Sequence, residues 1–154
     1  RVSMRHPFSC TAKVAINYWA VILATLSTMI VGSIWYTPKV FGTRWAKLAN
    51  VDMNRPGSSA TLAIIVTVIV SFVSAWVLAA ATVVVWHAFG GSFLLTAVGT
   101  GAVLWAGFTA ARFITHDAFE GRPTSLTVLN IAHELVTVLV MALIIGVWPP
   151  AGTV

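Results

Sequence analysis

Four polar side chains share one face of the last apolar segment of the sequence. Their spacing of i, i+3, i+4 and i+7 places residues on one side of an α-helix: Asn130, His133, Glu134 and Thr137. An imidazole beside a carboxylate can hold a proton, a cation or a polar headgroup. A carboxylate inside an apolar helix is expensive unless it is paired or protonated, so Glu134 indicates either a functional site or a polar clamp that fixes helix register.

The preceding apolar segment supplies a candidate partner, Arg112. Its predicted helical face has the spacing i, i+4, i+7 and i+11: Trp105, Thr109, Arg112 and His116. Counted from the loop between the two segments at about 1.5 Å per residue, Arg112 lies about 6 Å and Glu134 about 13 Å inside. An arginine side chain can bridge most of that difference. We therefore predict a buried Arg112–Glu134 pair, with Asn130 and His133 completing the hydrogen bonds of this polar cluster.

Other chemistry finds less support. The HExxH zinc motif needs a second histidine four residues after His133, and Thr137 stands there. His116, Asp117, His133 and Glu134 could surround a metal, and the two histidines could ligate haem, but the spacing is loose and no attachment motif is present. The sequence has no phosphate loop and no GxSxG nucleophile elbow. We predict no catalytic residues, no metal and no cofactor, hence no enzyme.

The charge content decides which elements can position these residues. The chain has nine basic and four acidic residues in 154, is 8% charged and 58% hydrophobic, and carries no formal charge from Pro56 to Ala111. Soluble domains are roughly a quarter charged. This composition excludes a soluble enzyme domain, a disordered tail and a conventional nucleic-acid binder, and it makes membrane lipids the expected surroundings. The single cysteine, Cys10, excludes an intrachain disulfide.

Four segments are long and apolar enough to cross a bilayer, which needs about 20 residues each. We predict an all-α, four-transmembrane-helix bundle over residues 14–148, between a tail at 1–13 and another at 149–154, with spans at about 14–36, 60–86, 93–115 and 126–148. The first span is too long for a signal-peptide core and ends in Trp35-Tyr36, so we interpret it as a retained helix.

The distribution of Lys and Arg predicts the orientation. Six of them flank the first and third loops, whereas three lie in the N-terminal tail and none lies in the second turn or the C-terminal tail. The imbalance favours a multi-pass membrane protein with both termini outside the cytoplasm.

The first and third loops contain candidate interfacial residues. In the first loop an apolar face with basic neighbours is either a short amphipathic helix on the membrane surface or a basic loop with aromatic anchors: Phe41, Arg44, Trp45 and Lys47. In the third loop, Glu120 and Arg122 could recognise a headgroup or partner, or form a solvated turn.

Small residues at intervals of four predict close contacts between the helices. The residues are Ala20, Ala24, Thr28 and Gly32 in span one, Ser71, Ala75 and Ala79 in span two, and two separate pairs in span three, Ala97 with Gly101 and Gly107 with Ala111. The partner helix can belong to the same chain or to a neighbour. Similar lead-in sequences, Arg55-Pro56-Gly57-Ser58 and Arg122-Pro123-Thr124-Ser125, suggest either an internal repeat or two ordinary helix starts.

Several motifs together resemble a known family. They are Asn17-Tyr18-Trp19, Gly32-Ser33-Ile34-Trp35-Tyr36 with Pro38, Phe41-Gly42-Thr43-Arg44-Trp45, Trp105-Ala106-Gly107-Phe108, Phe119-Glu120-Gly121-Arg122-Pro123, Asn130, His133 and Trp148. The chain is similar, over roughly Ile16 to Trp148, to the small bacterial integral membrane family catalogued as domain of unknown function 1761. The resemblance implies a four-helix bacterial membrane protein and no particular activity.

Two functions are compatible with these features. The first is a non-catalytic membrane subunit or oligomeric scaffold, which acts as a homo-oligomer or within a larger membrane complex. The second is an oligomeric transporter or binding protein for a proton, an ion or a small amphiphile, which uses the intramembrane cluster. A single four-helix bundle has little room for an aqueous path, which slightly favours the first.

Overall fold

The computed structural model describes residues 14–52 and 58–153. In these ranges the chain is helical and contains no strand, with α1 at Tyr18–Trp35, α2 at Gly42–Ala49, α3 at Ser58–Phe89, α4 at Phe93–Leu104, α5 at Ala111–Phe119 and α6 at Thr124–Val147. A π-helical turn, Trp105–Ala110, joins α4 to α5 as one span. Four helices are thus long and apolar enough to cross a membrane, which confirms the predicted all-α fold. The tail at 1–13 and the Arg55-Pro56-Gly57 lead-in lie outside the described residues.

Asn17 ties the first span to the last. Its side-chain oxygen accepts hydrogen bonds from the backbone N–H groups of Trp19 and Ala20 at 3.1 and 3.2 Å, which caps the start of α1. Its amide nitrogen donates to the carbonyl oxygen of Trp148 at 3.1 Å. One side chain therefore both starts α1 and holds it against the end of α6.

The half of the bundle next to Asn17 contains the packed core. Small residues there let the helices approach closely: Gly101 lies against Val138 and Ala142 of α6, and Gly146 lies against Leu94 of α4. A hydrogen bond of 3.0 Å between the hydroxyl groups of Thr28 and Ser71 marks the limit of close contact between α1 and α3. Beyond it, toward the first and third loops, the described side chains of α3 from Thr61 to Thr67 are all exposed. The bundle is therefore closed at one end and splayed at the other.

The first loop contains a short helix that packs on the splayed end. The ring of Trp45 on α2 lies 5.0 Å from the ring of Tyr36, and Phe41, which immediately precedes α2, lies 4.5 Å from Trp35. Arg44 and Lys47 are exposed on α2. Of the two interpretations of this loop, the structure has the amphipathic helix.

The π-helical turn changes the face that the third span presents to α6. The backbone N–H of Ala111 donates to the carbonyl oxygen of Ala106, five residues earlier, so the turn contains one more residue than an α-helical turn. At the first residue of the turn, Trp105 donates from Nε1 to the carbonyl oxygen of Ile131 at 2.9 Å. After the turn, the residues that face inward are shifted by one position, and the buried side chain of α5 is that of Asp117.

Candidate functional site

A cavity of about 1120 Å³ occupies the splayed end of the bundle. We call it the bundle cavity. Side chains of α1, α3, the π-helical turn and α6 line it, and most of its wall is apolar. Its principal polar groups belong to Thr28, Ser71, Tyr36, Thr109, Thr137, His133 and Glu134. A space of this size, apolar with a few convergent polar groups, is typical of a small-molecule site.

His133 and Glu134 supply the ionisable groups of the bundle cavity. His133 Nδ1 lies 3.5 Å from Glu134 Oε1, and 13% of the imidazole and 37% of the carboxylate side chain are exposed. His133 Nε2 is fully buried and has no hydrogen-bond partner in the part of the chain that the structure describes. The histidine is thus fixed in the wall, whereas the carboxylate remains open to whatever enters the cavity.

Aromatic rings from the end of α1 hold His133 in place. The imidazole centroid lies 5.7 Å from that of Trp35 and 5.0 Å from that of Tyr36. The backbone of α1 also passes close to the imidazole, because a Cβ atom on Gly32 would lie 3.8 Å from His133 Nε2, in ordinary contact. Burial, with a contribution from the negative charge of Glu134, raises the pKa of Tyr36 to about 12. The phenol therefore stays protonated at neutral pH.

Tyr36 and Glu134 also line a second space of about 440 Å³, which we call the loop-side cavity. Asn130 and Arg122 line it from the other side, together with Trp45 of α2. Three members of the predicted polar cluster, Asn130, His133 and Glu134, therefore lie around these two cavities. The two cavities share two lining residues, Tyr36 and Glu134.

The predicted Arg112–Glu134 pair is wrong. Arg112 is exposed, and among the described residues the ion-pair partner of Glu134 is His133. The sequence argument assumed an unbroken α-helix from Trp105 onward. The π-helical turn adds a residue, so Phe113 lines the loop-side cavity where the uninterrupted pattern placed Arg112.

Arg122 and Asp117 form a clasp at the end of the third span. Arg122 Nε lies 2.6 Å from Glu120 Oε2 and 3.8 Å from Asp117 Oδ1. The buried Asp117 accepts a hydrogen bond of 2.7 Å from the hydroxyl of Thr127 on α6. Its backbone carbonyl accepts from the N–H of Arg122 at 2.9 Å. The predicted pair of loop residues, Glu120 and Arg122, thus closes the turn between α5 and α6, and Arg122 in addition reaches the loop-side cavity.

A shallow groove of about 380 Å³ lies on the outside of the bundle between α2 and α6. Arg44 and Phe41 line one side, and Thr124 and Ser125 at the start of α6 line the other. Lys47 contributes to the same exposed face of α2 but not to the groove. In the described part of the chain, no three His, Cys, Asp or Glu side chains converge as a metal site would require.

Sequence reasoning missed the contribution of α1 to the site. Thr28, Gly32 and Tyr36 follow one another at intervals of four and all line the bundle cavity. Their spacing predicts helix packing for Thr28 and Gly32, and Tyr36 is predicted only as the end of the first span. The signal that could have identified them is the spacing: Tyr36 follows Thr28 and Gly32 at the same interval of four residues, so all three lie on one face of the helix.

Comparisons with known proteins place the chain in a family. No curated protein and no solved structure matches it significantly. Residues 19–146 match the family described as a protein of unknown function, DUF1761, which covers the four spans almost completely. The chain, a multi-pass membrane protein by its four apolar helices, therefore belongs to the family of domain of unknown function 1761.

Proposed function

We propose that this protein binds a small amphiphile inside its helix bundle, with the polar end of the ligand at Glu134 and the apolar part along α3. The observation that carries the proposal is the bundle cavity, about 1120 Å³ of mostly apolar space that ends at an accessible carboxylate. A membrane helix bundle whose only task was to hold other subunits would gain stability from filling such a space. The binding alternative is therefore favoured over the scaffold.

The two cavities suggest how a ligand reaches the site. The exposed side chains of α3 that border the bundle cavity, such as Ile64 and Val70, would face lipid, so an apolar chain can enter sideways from the bilayer. The loop-side cavity meets the same carboxylate from the face that carries the basic loops. We propose that this face is cytoplasmic, in a bacterial cytoplasmic membrane, because basic residues concentrate there. A ligand bound between these two openings could also be carried across, which is the transport variant of the proposal.

A second candidate function, a non-catalytic subunit or oligomeric scaffold, has a separate observation in its favour. The outer side of the third span carries Gly99 and Gly107, and a Cβ atom added to either meets nothing within 4 Å. Small exposed residues on a membrane helix permit close approach of another helix. Association through this side would leave the bundle cavity free, so an oligomer and a binding protein are compatible.

Photolabelling tests the binding proposal with a matched pair of variants. The probe is an uncharged decanol that carries a diazirine in its chain, added to the full chain in phosphatidylcholine nanodiscs, and mass spectrometry maps the labelled peptides. Gly32→Leu places a bulky side chain in the bundle cavity, whereas Gly99→Leu places the same side chain on the open side of α4.

We expect the wild-type protein and Gly99→Leu to be labelled on cavity-lining residues of α1 and α6. Gly32→Leu should lose most of that labelling and keep the labelling of the lipid-facing surface. Equal cavity labelling in Gly32→Leu and Gly99→Leu, or labelling confined to lipid-facing residues in all three proteins, contradicts the proposal.

A further inference from the structure

The charges around the bundle cavity define its ligand more narrowly. Among the described residues, Glu134 is the only carboxylate that lines the cavity, and no Lys or Arg of that set lines it. Arg122 lines the loop-side cavity together with Glu134, but its Nε contacts the carboxylates of Glu120 and Asp117, and Arg112 is exposed. Within residues 14–52 and 58–153, no Lys or Arg therefore forms an ion pair with this carboxylate, and the ionisable group beside it is the imidazole of His133.

His133 is a poor permanent counter-charge for Glu134. A doubly protonated imidazole carries an N–H group at both nitrogens, and Nε2 is buried without an acceptor. A buried charged donor that makes no hydrogen bond is strongly unfavourable. The imidazole approaches the carboxylate through Nδ1, which lies 3.5 Å from Glu134 Oε1 and is farther than a good hydrogen bond allows.

Aromatic side chains share the bundle cavity with Glu134. Tyr36, Trp105 and Phe108 line the same cavity as the carboxylate. The faces of aromatic rings attract organic cations, and the attraction strengthens when water is excluded. The remaining wall, formed by valines of α3 such as Val70 and Val77, suits a hydrocarbon chain.

We infer that the ligand of the bundle cavity is a lipophilic organic cation, such as an alkylammonium, whose positive head neutralises Glu134 while its chain lies against α3. This inference rests on the proposed function, since it names the class of amphiphile that the cavity takes. It explains why an ionisable side chain persists in an apolar span where none of the described Lys or Arg side chains pairs with it.

The test uses three diazirine probes that share a decyl chain and differ in the head: trimethylammonium, hydroxyl and sulfate. Each is photolysed with the wild-type protein, with Glu134→Gln and with Glu120→Gln in phosphatidylcholine nanodiscs. Glu120→Gln is the matched control, because it removes one carboxylate that lines neither cavity. Comparison with the variants cancels the different partitioning of the three probes into the bilayer.

The measured quantity is the ratio of cavity labelling by the trimethylammonium probe to cavity labelling by the hydroxyl probe. We expect this ratio to be about tenfold higher in the wild-type protein than in Glu134→Gln, because one ion pair is worth about a factor of ten. Glu120→Gln should behave as the wild type, and the sulfate probe should be excluded.

Equal labelling by the trimethylammonium and hydroxyl probes, or a preference that survives in Glu134→Gln, overturns the cation inference and leaves the binding proposal standing. Absence of cavity labelling by every probe overturns both. Crosslinks between two chains on the cavity side of α3 show that a second copy occupies the space, which also overturns both.

Discussion

The packing of α4 against α6 gives a prediction whose size follows from the structure. A Cβ atom built on Gly146 lies 2.7 Å from Leu94 Cδ1, 2.9 Å from Leu94 Cα and 3.2 Å from Ala97 Cβ, whereas ordinary contact begins at 3.4 Å. The leucine methyl group can rotate away, but its Cα atom is fixed in the backbone of α4. Gly146→Ala therefore forces the two helices apart by several tenths of an ångström at this crossing.

The cost of that displacement is about 1–3 kcal/mol, the usual range for overpacking a close-packed interior. Alanine has a higher helix propensity than glycine, by about 1 kcal/mol in a helix interior, which offsets part of the cost. Gly99→Ala isolates this second effect, because the new methyl group meets nothing within 4 Å. We expect Gly146→Ala to be less stable than Gly99→Ala by about 1–3 kcal/mol.

A third variant extends the prediction from one difference in stability to a ranking of three variants. A Cβ atom on Gly101 lies 3.1 Å from Val138 Cγ1, which can rotate away, and 3.3 Å from Ala142 Cβ, which moves only with its backbone but lies farther off than Leu94 Cα lies from a Cβ atom on Gly146. Gly101→Ala should therefore fall between the other two variants in stability.

The assay is reversible unfolding of the full chain in mixed micelles with increasing mole fraction of dodecyl sulfate, followed by circular dichroism and tryptophan fluorescence. The free energy of unfolding is compared among the three variants under one set of conditions, so that differences in the unfolded state largely cancel. A Gly146→Ala protein as stable as Gly99→Ala would refute the close α4–α6 contact and the reasoning built on it.

Two further predictions concern the splayed end of the bundle. Asp117→Asn should destabilise the fold by about 1–3 kcal/mol, because the hydrogen bond from Thr127 loses its charged acceptor and Arg122 loses an ion pair. The same unfolding assay measures this difference. If the variant is as stable as the wild-type protein, the clasp contributes nothing to stability. Burial raises the pKa of Tyr36 from 10.0 to about 12, so the folded state binds the phenolic proton more tightly than the unfolded state and stability falls as the pH rises from about 10 to 12. A tyrosinate absorbance titration of the wild-type protein minus Tyr36→Phe should place this proton near pH 12, and a difference curve centred at pH 10 would contradict the burial.

The polar cluster illustrates how far a sequence pattern reaches. The i, i+3, i+4 spacing of Asn130, His133 and Glu134 predicts one helical face, and the structure has all three around adjoining cavities. On a regular helix such as α6, that spacing alone sets the direction of each side chain. The same reasoning failed for Arg112, because the π-helical turn shifted the phase of the following residues.

Composition and periodicity determine the membrane class, the four spans and the positions of the loops in this protein. These properties follow from local requirements, since each backbone polar group must be satisfied within its own helix and each span must match the bilayer thickness. The amphipathic character of the first loop is also a local property, because the apolar and basic residues of α2 are spaced so that they lie on different faces of a helix.

Only the tertiary structure decided where the bundle is closed and where it is open. Gly101 and Gly146 bring α4 and α6 together at one end, while α3 diverges beyond Ser71 and leaves the space that Tyr36 and Glu134 border. A cavity is the volume that several helices fail to fill, so no single segment encodes it. The sequence therefore identified Glu134 as a residue that needs a partner, and the arrangement of the helices showed that the space beside it is open to a ligand instead of an arginine.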